Sequence, residues 1–448
     1  MPASRRREAG TAMIVKSETK PYVEAFRAGP RGAGEPHALA ARRQAALARF
    51  GDLGFPTRRQ EAWRFTDLRP LQRAEFPPSA GTGEARVSLD AWRLEGNAHR
   101  LVLVDGKFSP ELSQPGALPQ GVWLAPTART LAERPELLTG AIEQSDTEGN
   151  QPFASLNAAF FADGFVLALE PRTVLRLPVQ IVHLASAGAP RSHHLRNFVS
   201  LGAGSSARLV ETHAGEGLAW TNAVSLIELG DGATLDQARL QAESAEALHF
   251  ALSRTRLGEG ARLRSFVLSL GARLSRQDML VRFDGAGATL DLNGAYLLRG
   301  EQEATLATFV DHAAPGCTTR ELFKGVVADR AHGVFLGSIG VRPEAQKTDA
   351  QQLNKNLLLS RRATVDTKPE LEILADDVKC SHGATVGDLD ETALFYLRAR
   401  GIPEAEARLM LIEAFAADAL DRVEEPVLRA YLEGHLKHWL AQAGEGGR

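Results

Sequence analysis

The sequence predicts a mainly β protein whose core is a parallel β-solenoid, or β-helix, between an N-terminal mixed, mainly helical region and a C-terminal helical region. Three observations predict this class: glycine pairs recur at a fixed interval, apolar and polar residues alternate between them, and both patterns stop towards each end of the chain. The 448 residues are enough for two or three domains of about 150 residues each. We expect a disordered extension at 1–20, an N-terminal domain at 21–165, a β-helix core at 166–386 and a C-terminal helical domain at 387–448.

The N-terminal domain contains two predicted helices and one predicted strand. Residues 40–50 are rich in alanine, leucine and arginine, their apolar positions recur on one helical face, and Gly51 ends the pattern. The apolar run 101–104 precedes an Asp-Gly turn, which is typical of a strand that ends in a tight turn. The second helix is predicted at about 127–142.

The middle of the chain repeats a short glycine phrase. Two glycines separated by one residue begin at positions 202, 230, 258 and 285, so the repeats start 28, 28 and 27 residues apart. A fixed period of this length is typical of stacked units that bury their apolar faces only against each other. Between two of the pairs, Leu248, Phe250 and Leu252 alternate with polar or small residues, which indicates a strand. We therefore expect two strands in each repeat, and a β-sandwich with accidental glycine spacing is the alternative.

Three helices are predicted after residue 387. Asp388 is a candidate N-cap for the first helix, Gly401 ends it, and Pro403 suits the first turn of the second. A third helix begins near Pro426. A region this small buries little apolar surface by itself, so we expect its apolar faces to pack on the solenoid or to bind a partner.

The composition excludes several classes of protein. The chain has 52 basic and 55 acidic residues and a formal net charge of −3, so it lacks the basic excess of a nucleic-acid-binding protein. No apolar run approaches the roughly 18 residues of a membrane-spanning helix, so we expect no membrane insertion. Two cysteines, Cys317 and Cys380, are too few for a disulfide framework, and we expect a cytoplasmic protein.

One cluster, at residues 376–385, contains candidate metal ligands, whereas the sequence has no Gly-x-Ser-x-Gly elbow, Walker A loop or HExxH pair. In an extended strand Cys380 and His382 project to the same side, and a thiolate beside an imidazole suits zinc or iron. A neighbouring lysine or protonated histidine would favour the thiolate. Two ligands are half of a tetrahedral site, so the others would come from elsewhere in the chain, from a partner or from sulfide. The alternative is that Cys380 is an inert apolar residue.

Other histidines are weaker candidates for metal ligands. His193 and His194 lie in a polar stretch after Pro190, where we expect a solvated loop rather than a pair of ligands. His312 lies five residues before Cys317 and forms a second sulfur–nitrogen pair with looser spacing.

The residues around Cys380 and His382 resemble a known family. Residues 351–385, which include KCSHGAT at 379–385, are similar to the signature of the SufB/SufD family of iron–sulfur cluster assembly proteins. The resemblance continues through 386–420 and also covers the repeats, residues 152–164 and the segment RRQEAWRFTDL near Trp63. The KCSHGAT-type motif is typical of the SufD branch, whereas SufB members tend to carry a Glu-His-Glu-Ala segment there and have more cysteines elsewhere.

The resemblance implies a right-handed β-helix and a non-catalytic scaffold that forms a complex with SufB and two copies of the ATPase SufC. In the family, SufB and SufD pair through the edge strands of their β-helices, and a nascent cluster forms at that interface. His382 would then face a SufB cysteine with Cys380 beside it, and the transient iron or iron–sulfur cluster would be shared between the two chains. Without SufB, the same edge is a candidate for forming a homodimer.

The resemblance also implies that the C-terminal helices dock SufC. ATP binding would dimerise SufC, move these helices, shift the paired β-helices and open the edge that carries Cys380 and His382 to iron. The candidate docking residues on the second of these helices are Leu409, Ile412, Phe415 and Ala416.

Two further functions are compatible with a β-helix. A purely structural interaction scaffold would have no ligand role, so both Cys380 and His382 would be dispensable. A polysaccharide-acting enzyme would need carboxylates clustered along one groove, whereas Asp231 and Glu259 fall in the predicted turns.

Overall fold

The computed structural model describes residues 18–28, 37–72, 74–79, 87–145 and 151–445, and in these ranges the chain forms a parallel β-solenoid with helices at both ends. The strands are β1 (His99–Val104), β2 (Lys107–Phe108), β3 (Val122–Pro126), β4 (Phe165–Leu169), β5 (Val179–Ala185), β6 (Arg191–Leu201), β7 (Ser206–Gly215), β8 (Ala219–Leu229), β9 (Thr234–Glu243), β10 (Leu248–Leu257), β11 (Arg262–Ser269), β12 (Leu274–Phe283), β13 (Thr289–Leu298), β14 (Glu303–His312), β15 (Thr318–Val327), β16 (His332–Val341), β17 (Asp349–Leu358), β18 (Thr364–Ile373) and β19 (Lys379–Gly387).

The strands form two sheets that enclose one core. Sheet I has the order β19-β17-β15-β13-β11-β9-β7-β5-β1-β2, and sheet II has the order β18-β16-β14-β12-β10-β8-β6-β4-β3. Each coil from β4 onwards therefore contributes one strand to each sheet, and strands two apart in sequence pair in parallel. This arrangement confirms the predicted β-solenoid with two strands in each repeat.

The repeated glycines are the corners of the coils. The second glycine of each pair has a positive φ of 67° at Gly204, 64° at Gly232, 62° at Gly260 and 68° at Gly287. A side chain with a Cβ atom disfavours this conformation, so the corners are the positions at which the repeat requires glycine.

Alternate side chains of each strand point into the solenoid. In β7, Leu209 lies in the core that both sheets share, whereas Val210 faces the C-terminal helices. Phe283, Phe323 and Phe335 in the same core expose no surface, and the rings of the last two lie 4.9 Å apart. Burial of such rings is the main stabilising contribution to a stack of coils.

The helices of the described ranges lie before and after the solenoid coils. They are α1 (Lys20–Ala28), α2 (His37–Leu53), α3 (Arg69–Gln72), α4 (Thr127–Glu133), α5 (Glu136–Ser145), α6 (Pro152–Phe160), α7 (Glu391–Ala399), α8 (Glu404–Leu420) and α9 (Pro426–Glu445). Within the same ranges, no helix is long and apolar enough to cross a membrane.

The N-terminal region differs in detail from the prediction. Helix α2 continues past Gly51 to Leu53, because the residue with positive φ that follows the helix is Gly54 (67°). The helix predicted at 127–142 is two helices, since Pro135 lacks the backbone N–H that a continuous helix needs. Strands β1 and β3 pair with β5 and β4, so both sheets begin before residue 166. Of the expected extension, residues 1–17 lie outside the described residues, and α1 already begins at Lys20.

The two helical regions cover opposite sheets. Tyr22 and Trp63 from the N-terminal region pack with Trp220 and Phe250 on the outer face of sheet II. In the C-terminal region, Leu432 and other apolar residues of α8 and α9 pack on the outer face of sheet I. Each sheet is thus covered on its inner face by the core and on part of its outer face by helices.

The C-terminal helices begin near the predicted residues, with one correction. The N-cap of α7 is Asp390 rather than Asp388, because the Asp390 carboxylate accepts hydrogen bonds from the backbone N–H groups of Thr392 and Ala393. Pro403 precedes the first residue of α8, and Pro426 is the first residue of α9.

Candidate functional site at the open end of the solenoid

The last coil leaves one edge of each sheet without a neighbouring strand in the described part of the chain. Strand β19 is the terminal strand of sheet I, and β18 is the terminal strand of sheet II. The backbone N–H of Lys379 donates to the carbonyl oxygen of Thr348 at 2.8 Å. Because successive N–H groups of a strand point to opposite edges, the N–H groups of Cys380 and His382 point away from the solenoid.

Cys380 and His382 lie on the same face of β19. Cys380 is in register with Ala350 and is half-buried against the solenoid core, whereas His382 is in register with Gln352 and is exposed. The two side chains therefore form a short thiol–imidazole row at the last strand, with the imidazole open to a partner.

The chemical state of Cys380 differs from the expectation of a thiolate. Burial raises the pKa of its thiol, a hydrogen bond from the backbone of Ala350 lowers it, and the charge of Asp349 raises it. The net effect is a rise, so the thiol is protonated at neutral pH. A bound metal ion would displace this proton, since a coordinating thiol is deprotonated.

A buried carboxyl lies two strands inward from His382. Glu321, Gln352 and His382 occupy successive register positions on β15, β17 and β19. Gln352 Nε2 donates to Glu321 Oε2 at 2.5 Å, and Thr308 Oγ1 donates to the same oxygen at 3.4 Å. Burial raises the pKa of Glu321 to about 7, although both hydrogen bonds lower it. A titratable group thus lies in the same row as the exposed histidine.

Glu321 was not predicted as a functional residue, because an acidic residue in a strand is usually exposed. The available signal was the alternation of the strand: Phe323 lies two residues later and therefore on the same side. Since Phe323 belongs to the core, Glu321 also points inward, where it is 4% exposed.

The second sulfur–nitrogen pair suggested by the sequence does not form. His312 Nε2 forms a hydrogen bond with Thr319 Oγ1 at 2.9 Å, whereas Cys317 Sγ donates to the carbonyl oxygen of Gly285 at 3.4 Å. Both residues are buried in the solenoid, and burial raises the pKa of the Cys317 thiol. Cys317 is thus an unreactive core residue.

The expectation of a solvated loop at His193 and His194 was wrong. Both residues lie in β6 and are at most 5% exposed. Burial lowers the pKa of His193 to about 4 and that of His194 to about 3, so both rings are neutral at neutral pH.

The predicted docking residues of α8 pack towards the solenoid. Ala416 is 1% exposed in a cluster with sheet I, and the partly buried residues packed on that cluster include Leu409, Ile412 and Phe415. The backbone carbonyl of Phe415 accepts a hydrogen bond from Lys324 Nζ at 2.9 Å. These side chains are therefore occupied by intramolecular contacts, and the exposed large apolar residues of the C-terminal helices are Phe395, Tyr396 and Met410.

Two family models match the chain. The model described as SUF system FeS cluster assembly, SufBD core domain, matches residues 183–415, which are just over half of the chain. The model described as SufBD protein N-terminal region matches residues 18–181. The chain belongs to the SufBD family. Cys380 and His382 fall within the part that matches the core domain.

Individual relatives cover most of the chain. A SufBD family protein of Synechocystis sp., named for iron–sulfur cluster assembly, is 32% identical in an alignment of 455 positions that covers 98% of each chain. The iron–sulfur cluster assembly protein SufD of Escherichia coli is 32% identical over 381 residues, 84% of this chain and 87% of its own length. A SufBD family protein of Mycobacterium tuberculosis is 29% identical over 395 residues, 86% of this chain and 89% of its own length. The predicted resemblance, including the SufD branch, is confirmed, and the family is one of iron–sulfur cluster assembly.

The raised pKa of Glu321 predicts a pH dependence of stability. An acid whose pKa is higher in the folded than in the unfolded state stabilises the fold at low pH, and this contribution is lost as pH rises from about 4.5 to about 7. We expect Glu321→Gln to gain about 2 to 3 kcal/mol in free energy of unfolding, relative to wild type, between pH 5 and pH 8. Urea unfolding at both pH values measures this difference. Val326→Ala, a neutral core change in the same strand, should alter stability equally at both values, and a Glu321→Gln effect independent of pH would contradict the assignment.

Proposed function

We propose that the chain is a non-catalytic scaffold subunit of the SUF iron–sulfur cluster assembly complex. In this proposal it pairs with SufB through the β19 edge, binds the ATPase SufC through its C-terminal helices, and presents His382 to a nascent cluster or to entering iron. The observation that carries the proposal is the open strand edge with its half-buried Cys380 and exposed His382. The complex would act in the cytoplasm.

Strands β18 and β19 differ in how well their open edges are protected against pairing with another chain. Strand β18 contains Pro369 and four charged residues, features by which proteins prevent a sheet edge from pairing with another chain. Strand β19 carries one charged residue, Lys379, and is otherwise composed of small, polar or apolar residues. Exposed Val386 adds apolar surface to the same edge. These features favour β19 as the strand that pairs with a partner.

An incomplete ligand set supports a shared site at this edge. Cys380 and His382 supply one sulfur and one nitrogen on the face of β19 that continues the inner face of sheet I. A four-coordinate iron needs further ligands, which a partner strand beside β19 would bring within reach because paired strands lie about 4.8 Å apart. The iron or cluster is cargo in this proposal, held between the two chains and then released.

Two contacts between the C-terminal helices and sheet I support the proposed transmission of movement to the solenoid. Lys324 of β15 forms an ion pair with Asp418 of α8, and Thr212 of β7 shares a hydrogen bond with Tyr431 of α9 at 2.8 Å. A partner on the exposed face with Phe395 would therefore pull on sheet I, whose last strand is β19. In this proposal ATP acts on the conformation of the complex, and this chain performs no covalent chemistry.

Edge pairing predicts a change in the composition of the purified complex. Co-expressed with SufB and SufC, the wild-type chain should copurify as one copy with one SufB and two SufC. Ala384→Pro removes an N–H that points to the open edge, and proline is tolerated at such an edge, so SufB should be lost while SufC remains. Native mass measurement distinguishes these complexes. Ala384→Ser is the matched control, and an unchanged mass for Ala384→Pro would exclude pairing through β19.

The ligand role of His382 predicts a complex that assembles but forms no cluster. His382 is exposed, so His382→Ala should leave the fold and the native mass unchanged while the iron and sulfide content of the complex falls to background. The control is Ser381→Ala, which alters the neighbouring side chain on the opposite face of the strand. Normal iron and sulfide content in the His382→Ala complex would instead favour a purely structural scaffold.

Docking of SufC on the exposed face of α7 predicts a variant that folds normally but binds SufC weakly. Phe395 is 71% exposed on α7, so Phe395→Asp should leave the thermal unfolding midpoint unchanged yet weaken SufC binding at least tenfold. Binding of SufC to the purified chain, measured by calorimetry, tests this expectation. Glu406→Ala on α8 is the control for a change elsewhere on the helical surface, and unaltered affinity of the Phe395→Asp chain would place SufC on another face.

A further inference from the structure

Five acidic and histidine side chains meet inside the solenoid, away from the open edge. His183 lies in β5, Glu211 and His213 in β7, Glu243 ends β9, and His249 lies in β10 of the other sheet. All five are at most 6% exposed. Charged and imidazole groups are rarely buried together without a partner that offsets the loss of water. We call this group the histidine–glutamate cluster.

The donor atoms of the cluster form two overlapping sets, each compact enough to hold one ion. His183, Glu211 and His213 form one set, and His213, Glu243 and His249 form another, with the ligand atoms of each set within 4.8 Å of one another. Two ligands that are each about 2.1 Å from a tetrahedral metal ion lie about 3.4 Å apart. The observed separations are 3.0 Å for His213 Nε2 to Glu211 Oε1 and 2.8 Å for His249 Nδ1 to Glu243 Oε1. Both separations are shorter than 3.4 Å, so a small outward movement of the side chains would bring these two pairs to the spacing of metal ligands.

Charge favours the set that contains Glu243. Glu211 already has a cation, since Arg239 Nε lies 3.3 Å from Glu211 Oε2. The Glu243 carboxylate instead contacts the ring of His249 and the neutral amide of Gln241, whose Nε2 donates to Glu243 Oε2 at 2.6 Å. A buried carboxylate needs a positive partner, and either a proton on His249 or a metal ion supplies it.

Several ring nitrogens of the cluster also lack hydrogen bonds within the described residues. They are Nδ1 of His183, Nδ1 of His213 and Nε2 of His249, whereas Nε2 of His183 lies 3.5 Å from Glu211 Oε1 in a weak contact. Buried side-chain nitrogens are almost always hydrogen-bonded, so this concentration in one cluster points to a missing ligand. Gln277 is a buried residue of β12 that is in register with Ala251, two residues after His249, and its amide nitrogen and oxygen also have no partner among the described residues.

We propose that His213, Glu243 and His249 bind a divalent transition-metal ion such as Zn²⁺ or Fe²⁺ inside the solenoid. Two imidazoles and one carboxylate are a ligand set that both ions use in proteins. His183 and Glu211 lie next to this set and complete its polar surroundings. Binding releases any proton held between His249 and Glu243, because the ligands must present lone pairs to the ion.

This site is distinct from the edge that carries His382. Five strand spacings of sheet I separate β9 from β19, which is about 24 Å. The ion is held in the interior rather than at a partner interface, so it is a resident ion and not the cargo of assembly. The inference does not depend on the proposed function, and it holds for the chain alone.

The experiment measures metal content in a chain that cannot bind metal at the edge. We would express the full chain with Cys380→Ser and His382→Ala in medium supplemented with Zn²⁺, remove any affinity tag, and determine bound zinc by mass spectrometry. The expected content is one Zn²⁺ per chain. Adding His213→Gln or Glu243→Gln should lower it at least tenfold. Adding His312→Gln, which alters a buried histidine outside the cluster, should leave it unchanged.

The outcomes separate a metal site from an internal ion-pair network. Less than a tenth of an ion in the starting chain, or equal zinc in that chain and in the Glu243→Gln chain, would overturn the proposal and leave His249 and Glu243 as an ion pair. If His213→Gln does not fold, the isosteric Glu243→Gln decides the matter. Anomalous diffraction at the zinc edge then locates the ion: a peak between His213 and His249 supports the site, and a peak elsewhere rejects it.

Discussion

The structure depends on the parallel backbone pairing of successive coils. An inner strand such as β11 has its N–H and C=O groups paired on both edges, by β9 and β13. No coil is stable by itself, because its backbone groups and its apolar inner side chains need the coils before and after it. The same rule leaves the last coil incomplete. Among the described residues, β18 and β19 are paired on one edge only, and the unprotected edge of β19 is the feature from which the proposed partner pairing follows.

The helices cover part of the outer face of each sheet, and they link sheet I to the exposed surface of the C-terminal region. Leu432 and its neighbours cover the outer face of sheet I. Lys324 of β15 also forms an ion pair with Asp418 of α8. The apolar residues of α8 and α9 contact several strands of sheet I, and packed interiors transmit strain, so a force on α8 would act on more than one strand. In the proposed function, this connection would carry a movement of the helices to the open edge, which lies at the end of the same sheet.

The interior of the solenoid contains both an apolar part and a polar part. Phe283, Phe323 and Phe335 fill one part of it, whereas histidine and glutamate side chains fill another part at similar burial. Buried polar groups reduce stability unless they are paired, so a fold that needed only stability would have apolar residues at these positions. Their presence at consecutive coils, His183, His213 and Glu243 among them, is the physical reason for assigning the cluster a ligand.

The sequence by itself determined the class of fold, the glycine corners and the row of Cys380 and His382, since each follows from local periodicity within one or two repeats. It also carried the family resemblance, which extends over most of the chain. Tertiary structure decided the rest. Whether Glu321 faces water or the core, whether Phe415 faces a partner or sheet I, and which histidines meet inside depend on the stacking of strands that are distant in sequence. Alternation along a strand gives two faces, and only the packing of neighbouring coils and helices decides which of them is buried.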